Sequence, residues 1–393
     1  MKFAILILLF LFSHTTYSQN SDDLIFQSYL AHISAANSSL RLNEKAEAKR
    51  WIENAPQKFR GWEWNYLNNR IDWSSLTFNT GEITPTKISY SNNGNYFAFG
   101  DLNGTIHIHD AKNLNELKRF DGHLNTVYSA KFIQNDSKLI SCSRDTTIRV
   151  WDFYTGKELW QTKTGGRGLA DVDVSPDGKL IVFCSWYINQ KGISGFIQLY
   201  DLEKREKIWQ TEHNTHPLVV IKFSPDGKKF AVGSWEWQVS VWDLNDLSKP
   251  KIFDFNDVQT YSAIDDIAFS PDSKKIAAAT KNTTPRIWDI DSGKLEFELQ
   301  GHQKPVYAIT YSKDGSKIYT SGDDAVIMIW DASTGKRLNK IFGHEDKVHS
   351  MTVSPNGNEL LTASRDNTIR KWRTENGSGF LNAKGRNQIS TYA

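Results

Sequence analysis

Residues 301–331 read GHQKPVYAITYSKDGSKIYTSGDDAVIMIWD. This stretch contains short apolar runs separated by a polar turn, Ser312-Lys313-Asp314-Gly315, and it ends on the pair Trp330-Asp331. Short runs of alternating polarity are typical of β-strands, and Asp, Asn and Gly accept the backbone angles of tight turns. The stretch therefore predicts strands joined by tight turns, and its copies elsewhere in the chain decide the fold.

Both motifs recur along the chain at nearly constant steps. Copies of the turn begin at residues 91, 134, 175, 224, 270, 312 and 354, with steps of 43, 41, 49, 46, 42 and 42. The strands that end in an aromatic-Asp pair, or in a degenerate version of it, have their key residue at His109, Trp151, Tyr200, Trp242, Trp288, Trp330 and Trp372. Chance Trp-Asp pairs would not keep step with a separate turn motif, so the two series define seven repeats.

The repeats resemble those of the WD-repeat (WD40) family. The period of about 42 residues, the Trp-Asp pairs and the Gly-His pairs at 122–123, 301–302 and 343–344 carry this resemblance. It covers about residues 76–373 and implies an all-β fold, a seven-bladed β-propeller. In this family each repeat supplies the outer strand of one blade and the three inner strands of the next. Leu76-Thr77-Phe78 is then expected to close the ring as the outer strand of the seventh blade.

The resemblance also implies structural hydrogen-bond tetrads, each made of a Gly-His histidine, a Ser or Thr, a turn Asp and the strand Trp. The two complete sets are His123, Ser143, Asp145, Trp151 and His344, Ser364, Asp366, Trp372. A third repeat has His302, Asp324 and Trp330, but Gly322 stands where the Ser is expected. Ser, His and Asp together also suggest a hydrolase, but their repetition in several blades favours the structural interpretation. No catalytic residue is assigned.

A rim for partner binding follows from the same resemblance. Partners of such propellers often bind the face that carries the loops entering the innermost strands. The matching positions are Tyr128, Arg144, Trp235, Lys281, Tyr307, Asp323, Lys347, His349 and Arg365. About seven extra residues in the third repeat, around 186–191, add Trp186 at the same edge, or extend a β-structure locally. Aromatic residues and Arg anchor protein interfaces, so we interpret this set as a binding rim, with an inert solvated rim as the alternative.

Other candidates for chemistry are weaker. His107 and His109 share one strand face beside Asp110 and could hold a metal, but other repeats place a packed Trp at this position, which favours a packed or surface pair. His213 and His216 lie in a loop with Glu212, where nothing fixes a metal geometry. The two cysteines, Cys142 and Cys184, exclude a disulfide-rich scaffold, and a bond between them is not favoured. No metal and no cofactor is expected.

The N-terminal part differs from the repeats. Lys2, the apolar run 3–12 and small residues at Thr16 and Ser18 predict a signal peptide over residues 1–18, since the run is too short to span a bilayer. Residues 19–71 show helical periodicity. Together with Arg60–Leu67, they resemble the segment before WD repeats in some bacterial multidomain proteins, including chains with a Ser/Thr kinase. The kinase motifs are absent, so that activity does not carry over.

The sequence thus predicts four segments: a signal peptide (1–18), a helical segment (19–71), the propeller (72–373) and a mobile polar tail (374–393). Lys and Arg total 47 and Asp and Glu 45, so the net charge of +2 gives no case for nucleic-acid binding. We expect an exported bacterial protein, periplasmic or secreted, not inserted in a membrane and assumed monomeric.

The predicted function is a non-catalytic interaction or scaffolding module that binds a protein partner through one rim. The alternatives are binding of a small molecule or glycan in the central channel, with or without hydrolysis, and a structural role in an envelope complex. Channel-facing carboxylates or a bound metal would favour a ligand in the channel, and from the sequence we expect no such cluster there.

Overall fold

The computed structural model describes residues 2–42, 44–72, 74–164, 168–189, 192–213, 216–255 and 263–374. The chain divides into two compact units, Met1–Trp73 and Ser74–Ala393. Apart from Thr374, the predicted tail lies outside the described residues.

The first unit is helical. Its elements are α1 (Lys2–Arg41), α2 (Lys45–Asn54), a short 3-10 helix (Gln57–Phe59) and α3 (Trp62–Ile71). Ala36, Ala48, Ile52 and Leu67 form its buried core, and the indole N–H of Trp64 donates to the carbonyl oxygen of Ile52 at 2.8 Å. Apolar residues three and four positions apart place one face of each helix in this core. No helix among the described residues is both long and apolar enough to cross a membrane.

The second unit is a propeller of seven four-stranded antiparallel blades, as the repeats predict. Blade 1 contains β2 (Ile88–Tyr90), β3 (Tyr96–Gly100), β4 (Ile106–Asp110) and β5 (Glu116–Phe120). Blade 2 contains β6 (Val127–Ile133), β7 (Lys138–Ser143), β8 (Thr147–Asp152) and β9 (Glu158–Lys163). Blade 3 contains β10 (Gly168–Val174), β11 (Leu180–Asn189), β12 (Gly192–Asp201) and β13 (Glu206–His213).

The remaining blades follow the same order from the inner to the outer strand. Blade 4 contains β14 (Leu218–Phe223), β15 (Lys229–Ser234), β16 (Gln238–Asp243) and β17 (Asp246–Asp254). Blade 5 contains β18 (Ile264–Phe269), β19 (Lys275–Thr280), β20 (Arg286–Asp289) and β21 (Leu295–Glu298). Blade 6 contains β22 (Val306–Tyr311), β23 (Lys317–Gly322), β24 (Ile327–Asp331) and β25 (Arg337–Ile341). Blade 7 contains β26 (Val348–Val353), β27 (Glu359–Ser364), β28 (Thr368–Arg373) and β1 (Leu76–Asn79).

The N-terminal strand closes the ring, as expected. Strand β1 pairs antiparallel with β28, so that Phe78 lies opposite Ile369. Behind this pair, Phe97 and Phe99 of blade 1 pack with Leu361 of blade 7 in one buried cluster. Pairing satisfies the free edge of β28 and burial removes apolar surface from water, so both effects hold the first and last blades together.

The turns explain why the same four residues recur. In Ser175-Pro176-Asp177-Gly178, the Ser175 hydroxyl donates to Asp177 Oδ1 at 2.6 Å and accepts the N–H of Leu180 at 2.8 Å. Gly178 has φ +73°, which a glycine adopts without the steric cost that a side chain adds. Each such turn reverses the chain between the first two strands of a blade.

The extra residues of the third repeat lengthen a β-hairpin. Strands β11 and β12 each contain ten residues and pair from Leu180↔Asp201 to Asn189↔Gly192. Residues 190 and 191, at the end of this hairpin, lie outside the described residues. The local extension therefore accounts for the insertion, and the same hairpin carries Trp186.

Candidate functional site

The innermost strands of all seven blades begin at the same end of the central channel, since the blades repeat one antiparallel order. At that end lies an open depression of about 700 Å³, which we call the channel mouth. One residue at the start of each inner strand lines it: Thr86, Tyr128, Ala170, Val219, Asp265, Tyr307 and His349. Around these seven, residues near or just after the ends of the second strands of five blades add Leu102, Trp186, Trp235, Lys281 and Arg365.

Most of the rim residues predicted from the sequence meet at the channel mouth. Those that line it are Tyr128, Trp186, Trp235, Lys281, Tyr307, Lys347, His349 and Arg365. Arg144 and Asp323 are not among the lining residues; Arg144 is exposed in the β7–β8 turn, and the N–H of Asp323 donates to Pro305. The structure thus gathers residues from six blades at one concave surface.

The lining of the mouth is divided by polarity. Blades 2 to 4 contribute mainly apolar groups: Tyr128, Ala170, Trp186, Pro217, Leu218, Val219 and Trp235. Blades 5 to 7 contribute Asp265, Lys281, Tyr307, Lys347, His349 and Arg365. Trp235 keeps 49% of its surface exposed, which is unusual for so large an apolar side chain. We refer to these two sides as the apolar arc and the charged arc.

The charged arc contains cations held against aromatic rings. Lys347 Nζ lies 3.1 Å from the centroid of the Tyr307 ring, and Lys281 Nζ lies 5.8 Å from that of Trp235. Burial lowers the pKa of Lys347, and the neighbouring charges of Lys281 and Arg365 add to this effect against the attraction of Asp265 and Asp323. The cations are therefore crowded and only partly compensated.

Asp265 is the carboxylate of this arc. Its Oδ2 atom is buried and has no hydrogen-bond partner among the described residues. Burial raises the pKa of Asp265 to about 6, although Lys281, Lys347 and Lys87 act in the opposite direction. A buried acceptor without a partner is unfavourable for the folded state, and this atom is enclosed by its neighbours.

His349 has a different role from its neighbours. Its Nε2 atom donates to the carbonyl oxygen of Pro85 at 2.7 Å, which links blade 7 to the segment that enters blade 1. Burial lowers the pKa of His349, so the neutral ring is favoured. The geometry makes it a contact that closes the ring as well as a lining residue.

Below the mouth, the channel contains a cluster of charged residues, contrary to our expectation from the sequence. Lys87 Nζ lies 2.7 Å from Asp171 Oδ2, and Lys131 Nζ lies 2.6 Å from Asp173 Oδ1. Lys222 completes this cluster: burial alone would lower its pKa, but Asp171, Asp266 and Asp173 raise it. Likewise, burial would raise the pKa of Asp171, and the surrounding lysines hold it well below its usual range.

The carboxylates of the channel also join neighbouring blades. The backbone N–H of Phe223 donates to Asp173 at 2.7 Å, and that of Ile309 donates to Asp266 at 3.1 Å. The repeats contain a signal for this cluster that we did not use. Once the inner strands are aligned, Lys87, Asp171 and Asp266 share one position, and Lys131, Asp173 and Lys222 share the position two residues later. A cavity of about 40 Å³ borders Lys87, Lys131, Lys222 and Asp266.

Three hydrogen-bond tetrads lie inside the blades. In blade 2, His123 Nδ1 donates to Asp145 at 2.9 Å, while the Ser141 hydroxyl lies 2.7 Å from His123 Nε2 and accepts the indole N–H of Trp151 at 2.8 Å. Blade 7 has the same arrangement with His344, Asp366, Thr362 and Trp372. Blade 6 has it with His302, Asp324, Thr320 and Trp330.

The sequence assignment of the hydroxyl was wrong by two residues. Ser141 and Thr362 occupy the position that we gave to Ser143 and Ser364, which donate instead to the carbonyl oxygens of Asn125 and Asp346. Residues two apart share a strand face but lie about 6.6 Å apart along it, so only the earlier hydroxyl reaches both His and Trp. Blade 6 is therefore complete.

Gly322 is required for close packing, and it does not mark the loss of a tetrad hydroxyl. A Cβ atom at this position would lie 2.2 Å from the carbonyl oxygen of Pro305. The close approach of the two loops excludes any side chain there.

The tetrad of blade 2 is buried, and burial together with hydrogen bonding sets the pKa values of its two ionisable groups. Burial lowers the pKa of His123, so its ring is neutral. Burial would raise the pKa of Asp145, but hydrogen bonds from Thr147, Leu124 and His123 lower it to about 2. His123 Nε2 is occupied by Ser141, and both groups are buried. A hydrolytic triad needs a hydroxyl that a substrate can reach, which this set does not offer.

This repeated geometry agrees with the family comparison. The model of the WD domain, G-beta repeat, matches residues 114–152, 206–243, 256–289, 293–331 and 335–373. Five segments of the chain thus match the WD40 repeat. The unmatched segments are those that depart from the motif: the first repeat, with His109 in place of Trp, and the third, with the long β11–β12 hairpin.

Curated relatives of these WD40 repeats match over short segments. The chain is 35% identical over 92 residues to polyadenylation factor subunit 2 of Candida albicans, which is 22% of this chain and 17% of that protein. It is 35% identical over 77 residues to the WD repeat-containing protein 89 homolog of Dictyostelium discoideum, which is 20% of this chain and 21% of that protein. The chain thus spans about a fifth of the length of these relatives.

The first repeat replaces the WD40 tetrad by stacked rings. His109 lies against Phe97 at 5.0 Å between centroids, and Phe99 stands where the tetrad hydroxyl would be. His107 bonds to Glu116 at 2.7 Å and to Asp101 at 3.2 Å, and Glu116 is also held by Arg119. His107, His109 and Glu116 could approach a metal, but both nitrogens of His107 already have carboxylate partners, and Arg119 competes for Glu116.

The other candidates from the sequence are separated in the structure. His216 Nδ1 lies 2.5 Å from Glu236, not in a site with Glu212, and the side chain of His213 lies outside the described residues. Cys142 and Cys184 are free and buried thiols of adjacent blades. Burial raises the pKa of both thiols, so neither is poised as a nucleophile.

Proposed function

We propose that this chain is a non-catalytic interaction module whose channel mouth binds a protein partner. The observation that supports it is the convergence of Trp186, Trp235, Tyr307 and Arg365 on one depression of about 700 Å³. Tyr, Trp and Arg contribute most of the binding energy at protein interfaces when they surround a pocket. Exposed aromatic surface of this kind is unfavourable in water unless a partner covers it.

The alternative of a ligand inside the channel has less support. Lys87 and Lys131 there are paired with Asp171 and Asp173, and the cavity beside these lysines is about 40 Å³. That space is close to the volume of a single water molecule, about 30 Å³. A glycan or metabolite would have to break buried ion pairs to enter.

A role as a subunit of an assembly is compatible with this proposal. One relative is named as a subunit of a polyadenylation factor, and the similarity covers 17% of that protein. The shared repeats support binding as the common property of the scaffold, and the residues of the mouth decide the partner.

We also propose that the chain is exported and loses residues 1–18, which would place it in the periplasm or the medium. The basic and apolar start of the sequence supports this proposal. N-terminal sequencing of the protein from its own cells tests it: a mature N-terminus at Gln19 is expected, and a protein that retains Lys2 contradicts it.

The test of partner binding is photo-crosslinking in extract from the source cells. A photoreactive phenylalanine is placed at Trp235 or Tyr307, and at Tyr154 as a control, because Tyr154 is 70% exposed in the β8–β9 turn at the opposite end of the blades. Proteins captured at both mouth positions, absent from the control and lost when Tyr128→Ala and Arg365→Ala are added to the photoreactive chain, support the proposal. Identical capture at all three positions contradicts it.

A further inference from the structure

The polarity of the channel mouth indicates which chemistry its partner carries. Resting on the proposed function, we propose that the mouth binds an extended peptide segment with carboxylates along one side and aliphatic or aromatic side chains along the other. Side chains alternate between the two sides of an extended peptide, so one segment can present both chemistries at once.

The apolar arc accounts for one side of this peptide. Trp186 and Trp235 stand on neighbouring blades, with Pro217 and Leu218 between them in the chain. Leu102, 55% exposed, extends this surface towards blade 1. Covering these groups with apolar side chains removes apolar surface from water, which favours binding.

The charged arc accounts for the other side. Lys281, Lys347 and Arg365 line the mouth, and none of them lies within 4.0 Å of a carboxylate among the described residues. Lys87 and Lys131 of the channel below, in contrast, have carboxylate partners at 2.7 and 2.6 Å. The mouth thus carries three cations without a carboxylate partner, which favour a partner with carboxylates and repel one with cations.

The apolar arc points to a peptide rather than to a simple anion. A free polyanion would contact Lys281, Lys347 and Arg365 but would leave Trp186 and Trp235 uncovered. A peptide offers carboxylates to the cations and apolar side chains to these rings at the same time.

The experiment uses three fluorescein-labelled ten-residue probes and the full chain. The first probe alternates Glu with Leu and Phe; the second has Lys for each Glu; the third has Ser for each Leu and Phe. Fluorescence anisotropy measures the Kd of each. The first probe is expected to bind at least about tenfold more tightly than either other probe, which corresponds to about 1.4 kcal/mol.

Variants locate the binding. Lys281→Glu/Lys347→Glu is expected to weaken the first probe at least about tenfold and to improve the Lys probe, since the charge of the arc is reversed. The matched control, Lys228→Glu/Lys336→Glu, makes the same change in net charge on exposed turns at the opposite end of the blades and should leave the Kd unchanged. Thermal unfolding by circular dichroism verifies that both variants fold.

The outcomes separate this inference from the proposed function. Equal binding of the acidic and basic probes, or of the acidic probe and its Ser version, overturns the peptide chemistry. Equal weakening of the first probe by Lys281→Glu/Lys347→Glu and by Lys228→Glu/Lys336→Glu also overturns it. If photo-crosslinking at Trp235 still captures a partner in that case, the mouth binds proteins of another chemistry. If crosslinking also fails, the proposed function falls as well.

Discussion

The hydroxyl group of Thr80 donates a hydrogen bond to the carbonyl oxygen of Asn367 at 2.8 Å, although 287 residues separate them in the chain. This bond continues the pairing of β1 with β28 and ties the start of the propeller to its last blade. The ring is therefore closed by backbone pairing, by the packing of Phe78 and by the bond from His349 to Pro85.

Loss of the closing strand should destabilise the whole ring, because it frees one edge and uncovers the apolar cluster behind it. We expect deletion of residues 72–80 to lower the melting temperature of the propeller; within this range Trp73 lies outside the described residues. Phe78→Ala should cost about 2 kcal/mol, less than a fully buried Phe, because Phe78 is only partly buried. Thermal unfolding measures the melting temperature of the deletion variant, and urea unfolding measures the free-energy loss of Phe78→Ala. A deletion variant with unchanged stability would show that seven blades hold together without β1.

Removal of a tetrad hydroxyl should cost more stability than removal of the serine hydroxyl two residues later. Ser141→Ala leaves Trp151 Nε1 and His123 Nε2 buried without a partner, at a cost of about 2–4 kcal/mol. Ser143→Ala removes a bond to Asn125 and should cost about 1 kcal/mol. Hydrogen exchange of the Trp151 indole N–H provides a local measurement: only Ser141→Ala should accelerate it. Faster exchange in Ser143→Ala instead would restore the assignment made from sequence.

Removal of a channel carboxylate should cost more than removal of a surface one. Asp171→Asn leaves Lys87 and Lys222 without their main counter-charge in a buried setting, so we expect a loss of about 3 kcal/mol at pH 7. Asp291→Asn, on an exposed turn, is the control and should change the stability by less than about 0.5 kcal/mol. Adding Lys87→Met to Asp171→Asn should recover part of the loss. Equal effects of the two single substitutions would mean that the channel is effectively solvated.

Asp265 should reduce stability at neutral pH. Its pKa of about 6 in the folded chain exceeds the ordinary value of about 3.9, so the folded state binds the proton more tightly and stability falls as pH rises from about 4 to 7. Asp265→Asn removes this charge and should stabilise the chain by up to about 2 kcal/mol at pH 7 and by little at pH 4. Chemical unfolding at both pH values measures the difference. A gain that is larger at pH 4 than at pH 7 would contradict a raised pKa.

Spacing identified the elements of the fold but not which atoms meet. Two hydroxyls of β7, Ser141 and Ser143, lie on the same face and both precede the turn Asp by a short distance, so sequence alone did not separate them. Only the position of the Trp151 ring across the sheet distinguishes them, because its indole N–H reaches Ser141. In the same way Gly322 looked like a gap in a tetrad, whereas Thr320 completes it and Gly322 allows the loop at Pro305 to approach.

The amino-acid sequence by itself determined the number of blades, their strand order and the closing strand, because each of these depends on a local pattern that repeats about every 42 residues. The tertiary structure alone decided the pairing of Lys87 with Asp171 and the division of the mouth into two arcs. These features join residues of different repeats, and their distances follow from how the blades are arranged around one axis. Local periodicity records which face a side chain occupies, but not which side chain of another blade it meets there.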